Sequence, residues 1–277
     1  MSFKPEKYQF AETTPELLKS PWWIGHIPFA FEIVRRLRPQ AIVELGSYSG
    51  SSLAAFCQAV EAVGLNTKCF GIDLWKGDIH MGKFDESVYR EISNYMSRRY
   101  PDICTLIRQE FNDAANLFND NSIDLLHIDG THTYEAVSND YYTWLPKISD
   151  RGVILFHDTN ATYETIGVAA KNFGVREFFD FIKDRHSHFE FSHCYGLGVL
   201  LVGNNLPDEV SELIKDARNP EFLDYFAQLG KKISLMFENQ EKPGKYGLGK
   251  TQKIGRIKTR ISGLVKKWVH KIRSSII

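Results

Sequence analysis

Apolar residues in this chain come in two kinds of run. Short continuous runs at Ala41–Leu45, Lys68–Asp73, Thr105–Arg108, Ile123–Asp129 and Gly152–Asp158 have the length and texture of strands buried on both faces. Between them, apolar positions recur every three or four residues. This spacing predicts helices over about 52–63, over Phe84–Tyr100 with Val88, Ile92, Tyr95 and Met96 on one face, and over Tyr134–Leu145, closed by Pro146. Asp113 is placed to cap a short helix to about Phe118, and further helices are expected over Thr165–Lys183 and Asp208–Glu238. Residues 1–20 read as irregular, and Pro21–Phe29 leads into a helix ending near Leu37. Phe189–Ser192 and Val199–Val202, joined through Gly196 and Gly198, read as a hairpin. The pattern is that of an α/β fold with helices on both faces of a mainly parallel sheet.

The strand ends carry the candidate chemistry. Glu44-Leu-Gly46-Ser47-Tyr-Ser-Gly50-Ser51-Ser52 is a strand, a glycine turn and a helix start, with Ser51 or Ser52 available as a cap. Its G-x-x-x-G spacing and the acid before the first glycine disfavour an anionic diphosphate and suit a ligand with a positive end. Asp73 ends the second strand 29 residues past Glu44, where a carboxylate can accept both hydroxyls of a ribose. Leu74 and Trp75 offer apolar and aromatic surface for an adenine, with Glu110 and Phe111 at the adenine end of the site. Asp129 and Asp158 end two adjacent strands. Paired carboxylates there can bind a hard divalent cation, the alternative being that one of them caps the following turn. His26, among aromatics, is read as a hydrogen-bonded core histidine, with a place facing the site as the alternative.

Composition adds a compartment and a second electrostatic object. Cys57, Cys69, Cys104 and Cys194 form no C-x-x-C pair and sit in apolar runs, as reduced thiols of a cytosolic protein do. Neither a signal-peptide pattern nor an apolar stretch of about 18 residues is found, which argues against export and membrane spanning. The net charge of +0 conceals an excess of 11 negative charges over residues 1–241 and of 11 positive ones over 242–277. Four segments follow: an N-terminal lid over 1–40, a ligand-binding domain over 41–204, a helical segment over 205–241 and a basic tail over 242–277. Within the tail, Ile254, Ile257, Ile261, Leu264, Trp268, Ile272 and Ile276 recur at helical spacing between lysines and arginines. This basic amphipathic stretch over 253–276 suits an anionic membrane surface. Docking on the acidic body and pairing in a homo-oligomer are the alternatives, and nucleic acid is disfavoured.

The motif at Glu44–Ser51 resembles motif I of the class I S-adenosylmethionine (SAM)-dependent methyltransferases. With it come Trp23-Ile-Gly-His-Ile-Pro-Phe29, Asp73-Leu-Trp-x-Gly-Asp-x-His80, Leu126-His-Ile-Asp-Gly-Thr-His-Thr-Tyr-Glu135, Val153-Ile-Leu-Phe-His-Asp-Thr159 and Gly196-Leu-Gly198. Together they make Trp22–Gly203 resemble the bacterial glycosyltransferase-associated, macrocin O-methyltransferase-like family of surface-polysaccharide pathways. The resemblance implies a Rossmann-like seven-stranded sheet whose last strand runs antiparallel. It also implies that Glu44, Gly46, Ser47, Gly50 and Ser51 hold the methionine part of SAM, Asp73 the ribose, and Trp75 with Phe111 the adenine. Asp129 and Asp158 would bind magnesium or another divalent cation, and His132 would be the general base. His157 and Thr159 flank Asp158 where related enzymes have a further acid or amide. The implied activity is O-methylation of a sugar hydroxyl in a surface glycan or its precursor, at the inner face of the cytoplasmic membrane and with glycosyltransferase partners. A small-molecule O-methyltransferase and a non-catalytic, membrane-tethered glycan- or SAM-binding module are the other readings.

Overall fold

The computed structural model describes residues 3–167 and 171–241. Strands β1 (Ala41–Leu45), β2 (Lys68–Ile72), β5 (Cys104–Ile107), β6 (Ile123–Ile128), β7 (Ile148–His157), β8 (Ser187–Phe191) and β9 (Leu197–Leu201) form one sheet in the order β5-β2-β1-β6-β7-β9-β8. Pairs from β5 to β7 are parallel, and β9 runs antiparallel to both β7 and β8. The expected seven-stranded sheet with an antiparallel last strand is present. Its strand order reverses between β1 and β6, and in open sheets of this kind ligands bind at such a switch, beyond the carboxyl ends of the strands.

Both faces are covered. Helices α1 (Ile27–Leu37), α2 (Ser51–Val63), α8 (Asp208–Asp216) and α9 (Pro220–Glu241) bury the face that includes Ile42, Leu125, Val153 and Val199. Helices α5 (Tyr134–Trp144) and α7 (Val175–Ile182), with the short α4 (Phe111–Ala114), bury the face that includes Val43, Leu126, Ile154 and Phe156. Helix α3 (Glu86–Arg99) starts at Asp85, whose carboxylate accepts the Ser87 amide hydrogen, and sinks Ile92 and Met96 into the first face. The described residues up to Asn239 form one compact unit. The amphipathic stretch at 253–276 lies outside the described residues.

Several elements differ from the sequence reading. The segment read as irregular at the N-terminus contains a 3-10 helix, Pro5–Glu12, with Tyr8 fully buried between Arg36 and the rings of Phe222 and Phe226. Aromatic anchoring, which has no period in so short a segment, orders it. The helix expected over Thr165–Lys183 is interrupted: α6 (Tyr163–Ile166) stops at Gly167, and α7 begins only after Gly174. The helix expected over Asp208–Glu238 is two, with Pro220 opening the second as a first-turn proline can. Helix α4 begins at Phe111, so Asp113 sits inside it instead of capping it. A two-stranded hairpin, β3 (Gly77–Asp78) and β4 (Gly82–Lys83), follows Trp75, a pairing absent from the sequence reading.

Candidate functional site

The glycine turn after β1 is built by close approach. A Cβ at Gly46 would lie 2.0 Å from the carbonyl oxygen of Asp129, and its φ is +92°. The turn is strapped to the end of β2: Asp73 Oδ2 accepts the Tyr48 amide hydrogen at 2.9 Å and Oδ1 that of Trp75 at 2.6 Å. Burial raises the Asp73 carboxyl above its ordinary range, against the pull of those two amides. The Trp75 indole N–H donates to the Tyr48 carbonyl at 2.9 Å, and the ring is buried beside Tyr89. Trp75 thus supports the turn from beneath and offers no open face for stacking, which corrects its assignment to the adenine.

Two more of the assigned contacts face inward. Glu44 lies opposite His127 in the β1–β6 register, on the same face of the sheet. Both are fully buried, with Glu44 Oε2 3.0 Å from His127 Nδ1. Ser51 does not cap α2, whose N-cap is Gly50. Its hydroxyl accepts the amide hydrogens of Lys19 and Ser20 at 3.1 and 3.2 Å, tying the N-terminal segment to the turn. Glu44 is thus held by one carboxylate oxygen, with Oε1 left without a partner among the described residues, and Ser51 by the two amides its hydroxyl accepts. Ser47 is buried against Gly71, its hydroxyl without a partner among the described residues. The half-buried Asp73, Leu74 and Phe111, with the exposed Glu110, remain at the strand ends. An edge of the Phe111 ring lies 2.6 Å from where a Gly130 Cβ would be. The resemblance assigns this carboxylate, ring and glycine turn to the ribose, adenine and methionine portions of SAM, respectively.

The ends of β6 and β7 bring four ionisable side chains together. His132 Nε2 lies 2.8 Å from Asp158 Oδ2 and 3.9 Å from Asp129 Oδ1. His157 Nδ1 lies 3.1 Å from Asp129 Oδ1 and 3.3 Å from Asp158 Oδ2, while its Nε2 donates to the Cys194 carbonyl at 3.1 Å. Successive side chains of a strand point to opposite faces; Asp158 escapes this alternation through a left-handed φ of 64°, and it meets Asp129 beside His157. Burial alone would lower His132, but the neighbouring carboxylates, Asp158 foremost, raise it to about 10. His157 is likewise raised, against burial, by Asp158 and Asp129. Asp158 is held well below the usual carboxylate range, against burial, by His157 and His132.

This set can order a hydroxyl and move a proton. Oxygens of Asp129 and Asp158 and a nitrogen of His132 lie within 4.8 Å of one another. That oxygen-rich donor set fits a divalent cation, although His132 and His157 already engage the same oxygens. His157 was noted in the sequence only as a departure from a family pattern. Its pairing with both carboxylates depends on the turn at Asp158, which no local spacing announces. His26 is buried and shares the Cys194 carbonyl with His157, its Nε2 at 3.1 Å; burial lowers its pKa. A cavity of about 480 Å³, lined in part by Pro21, Gly25, Asn160, Tyr195 and Lys231, opens beside this carbonyl.

Residues 43–159 match the family model described as a methyltransferase domain. A relative in Sinorhizobium fredii, the uncharacterised protein y4gI, is 37% identical over 212 residues. The match covers 75% of this chain, which spans about a fifth (22%) of that protein. Among solved structures, the S-adenosylhomocysteine-bound methyltransferase PaMTH1 of Podospora anserina superposes with a TM-score of 0.51 at 14% identity, over 72% of this chain and 97% of that one. A caffeoyl-CoA O-methyltransferase candidate from Staphylococcus aureus gives 0.50 at 13% identity, over 70% and 88%. These likenesses show the Rossmann-like methyltransferase fold, and the segment 43–159 matches a methyltransferase domain.

Proposed function

We propose that this chain, with a SAM-dependent methyltransferase domain as its premise, transfers the sulfonium methyl of SAM to a hydroxyl oxygen of a sugar in a surface glycan or its precursor. The observation that carries the reading is the meeting of Asp129, His132 and Asp158 at neighbouring strand ends, with His132 Nε2 2.8 Å from Asp158. The two carboxylates accept the acceptor's hydrogen bond and orient its oxygen for in-line attack on the methyl. S-adenosylhomocysteine leaves, and the hydroxyl proton passes to the cluster. His132 takes it when Nε2 is free of its own proton, a state that pairing with Asp158 opposes. Asp129 and Asp158 would hold a divalent cation such as magnesium, which when bound lowers the pKa of a coordinated hydroxyl.

The cavity beside Cys194 is the proposed acceptor cleft. The Tyr195 ring, with Trp22 5.9 Å from it, offers a sugar ring apolar surface in a lining that also holds polar groups. Among the described residues no helix is long and apolar enough to cross a membrane. The basic stretch at 253–276 is proposed to bring the domain to an anionic inner-membrane surface, near lipid-linked acceptors and glycosyltransferase partners.

The test begins with calorimetric titration of chelator-treated protein with SAM, with and without magnesium, followed by transfer of labelled methyl to a panel of glycans and phenols. Micromolar SAM binding that Asp73→Ala abolishes, together with labelled sugar, supports the reading. Folded protein that binds no SAM, or that methylates only phenols, overturns it.

A further inference from the structure

A second group of metal-type donors meets at His132. The β3–β4 hairpin brings Asp78 and His80 to His132. One ligand atom each of Asp78, His80 and His132 lies within 4.8 Å of the others. The His80 ring stands 5.1 Å from that of His132, and Phe173 covers both, 4.6 Å from each. Neither ring nitrogen of His80 has a hydrogen-bond partner among the described residues, although both are shut off from solvent. The same holds for Nδ1 of His132, whose Nε2 is taken by Asp158. Leaving one buried polar atom unpaired costs about 1–3 kcal/mol. Three in one place, beside a carboxylate, indicate a group the protein is built to receive.

We propose that Asp78, His80 and Nδ1 of His132 form a binding site for a borderline divalent transition ion of the zinc, cobalt or manganese class, separate from the Asp129/Asp158 pair. Two imidazole nitrogens and one carboxylate oxygen suit such an ion better than magnesium, which prefers oxygen. Three protein ligands leave a coordination position open. The hydrogen bond from His132 Nε2 to Asp158 supplies the outer carboxylate that commonly orients a ligating histidine. Asp78 is preset as well: its Oδ1 accepts the amide hydrogens of His80 and Met81 at 2.8 and 2.6 Å, which fixes the carboxylate within its own hairpin. A bound ion would staple Gly77–Lys83 to the loop after β6, closing the hairpin over the end of the sheet. The site requires neither SAM nor an acceptor and stands whether or not the methyl acceptor is a sugar.

The test uses the full chain without a histidine tag, stripped by chelator and dialysed against cobalt(II), with stoichiometry measured by elemental analysis and ligand-field bands read in the visible. One ion per chain is expected, with bands of low coordination number. Affinity should fall by more than about tenfold in His80→Ala and Asp78→Asn and be retained in Asp129→Asn. Circular dichroism melts check that the variants fold, and His80→Gln replaces His80→Ala if the latter does not. No cobalt in the wild type, unchanged affinity in the His80 and Asp78 variants, or loss confined to Asp129→Asn would each overturn the proposal, the last by assigning the ion to the carboxylate pair.

Discussion

His132 Nε2 sits 2.8 Å from Asp158 Oδ2, so the histidine that sequence reasoning casts as a general base meets, in the folded chain, a carboxylate that favours its protonated form. Asp129 stands farther off, at 3.9 Å. The difference comes from the left-handed turn at Asp158, which brings the end of β7 across to the loop after β6. Base strength at this site is therefore set by what else binds the two carboxylates. The domain's chemistry and its stability draw on the same contacts.

That coupling gives the first prediction. The folded pKa of His132, about 10, lies above the ordinary value of about 6.5. Its contribution to stability is complete below about pH 6.5 and is lost as pH rises toward 10. Asp158 is shifted the other way, and its contribution is lost as pH falls below the ordinary carboxylate value of about 3.9. Urea unfolding in chelator-containing buffer should show stability declining between about pH 7 and 10. Asp158→Asn should cost about 3–5 kcal/mol at pH 7 and flatten that decline. An equally steep decline in Asp158→Asn would remove His132 as its source.

How legible the site is depends on which way side chains point. Strand ends are readable, because a buried run stopping at Asp73, Asp129 or Asp158 declares both the strand and its carboxyl end, and the sheet puts all three on one edge. Facing is not. Glu44 has the place of a ligand-binding acid in the motif, yet the β1–β6 register sets it against His127 on the core side. Ser51 and Trp75 are likewise consumed by the Lys19–Ser20 amides and the Tyr48 carbonyl. Those partners come from distant parts of the chain, so local spacing carries no trace of them. The helix breaks at Gly167 and Gly174 are at least marked by the residues that make them.

Glu44 and Asp73 should therefore separate. Glu44→Ala strands His127 in the core and should destabilise the fold by about 3 kcal/mol or more, whereas SAM affinity in the folded variant changes less than about threefold. Asp73→Asn should weaken SAM by about tenfold or more through its lost ribose acceptor, at a smaller stability cost. Thermal melts paired with calorimetric SAM titrations measure both. Equal losses of SAM affinity in the two variants would return Glu44 to the binding site.

Gly46→Ala tests the close approach at the turn. An added methyl would sit 2.0 Å from the Asp129 carbonyl oxygen on a backbone with φ of +92°. Strain at such positions costs about 1–3 kcal/mol before any clash. The variant should melt well below wild type or fail to fold, while Gly64→Ala, with φ of +69° and open space at its Cβ, should show the backbone cost alone. Similar melting of the two variants would mean that the β1 turn can move away from Asp129.

Asp140 should make the protein less stable as pH rises from about 4 to about 7. This acid of α5 is buried, and its Oδ2 lies 3.3 Å from where a Gly130 Cβ would be. Burial pushes its carboxyl up to about 7, against a hydrogen bond from Asn139. Because the folded value exceeds the unfolded one of about 3.9, the folded state holds the proton more tightly in between. The penalty is absent below about pH 4, grows as pH rises, and is complete above about 7. Asp140→Asn keeps the shape and removes the charge. It should raise stability at pH 8 by on the order of 2–4 kcal/mol and leave it nearly unchanged at pH 4.5, as read from urea midpoints at the two values. A gain of the same size at both pH values would mean that the amide works through new hydrogen bonds, with no buried charge behind it.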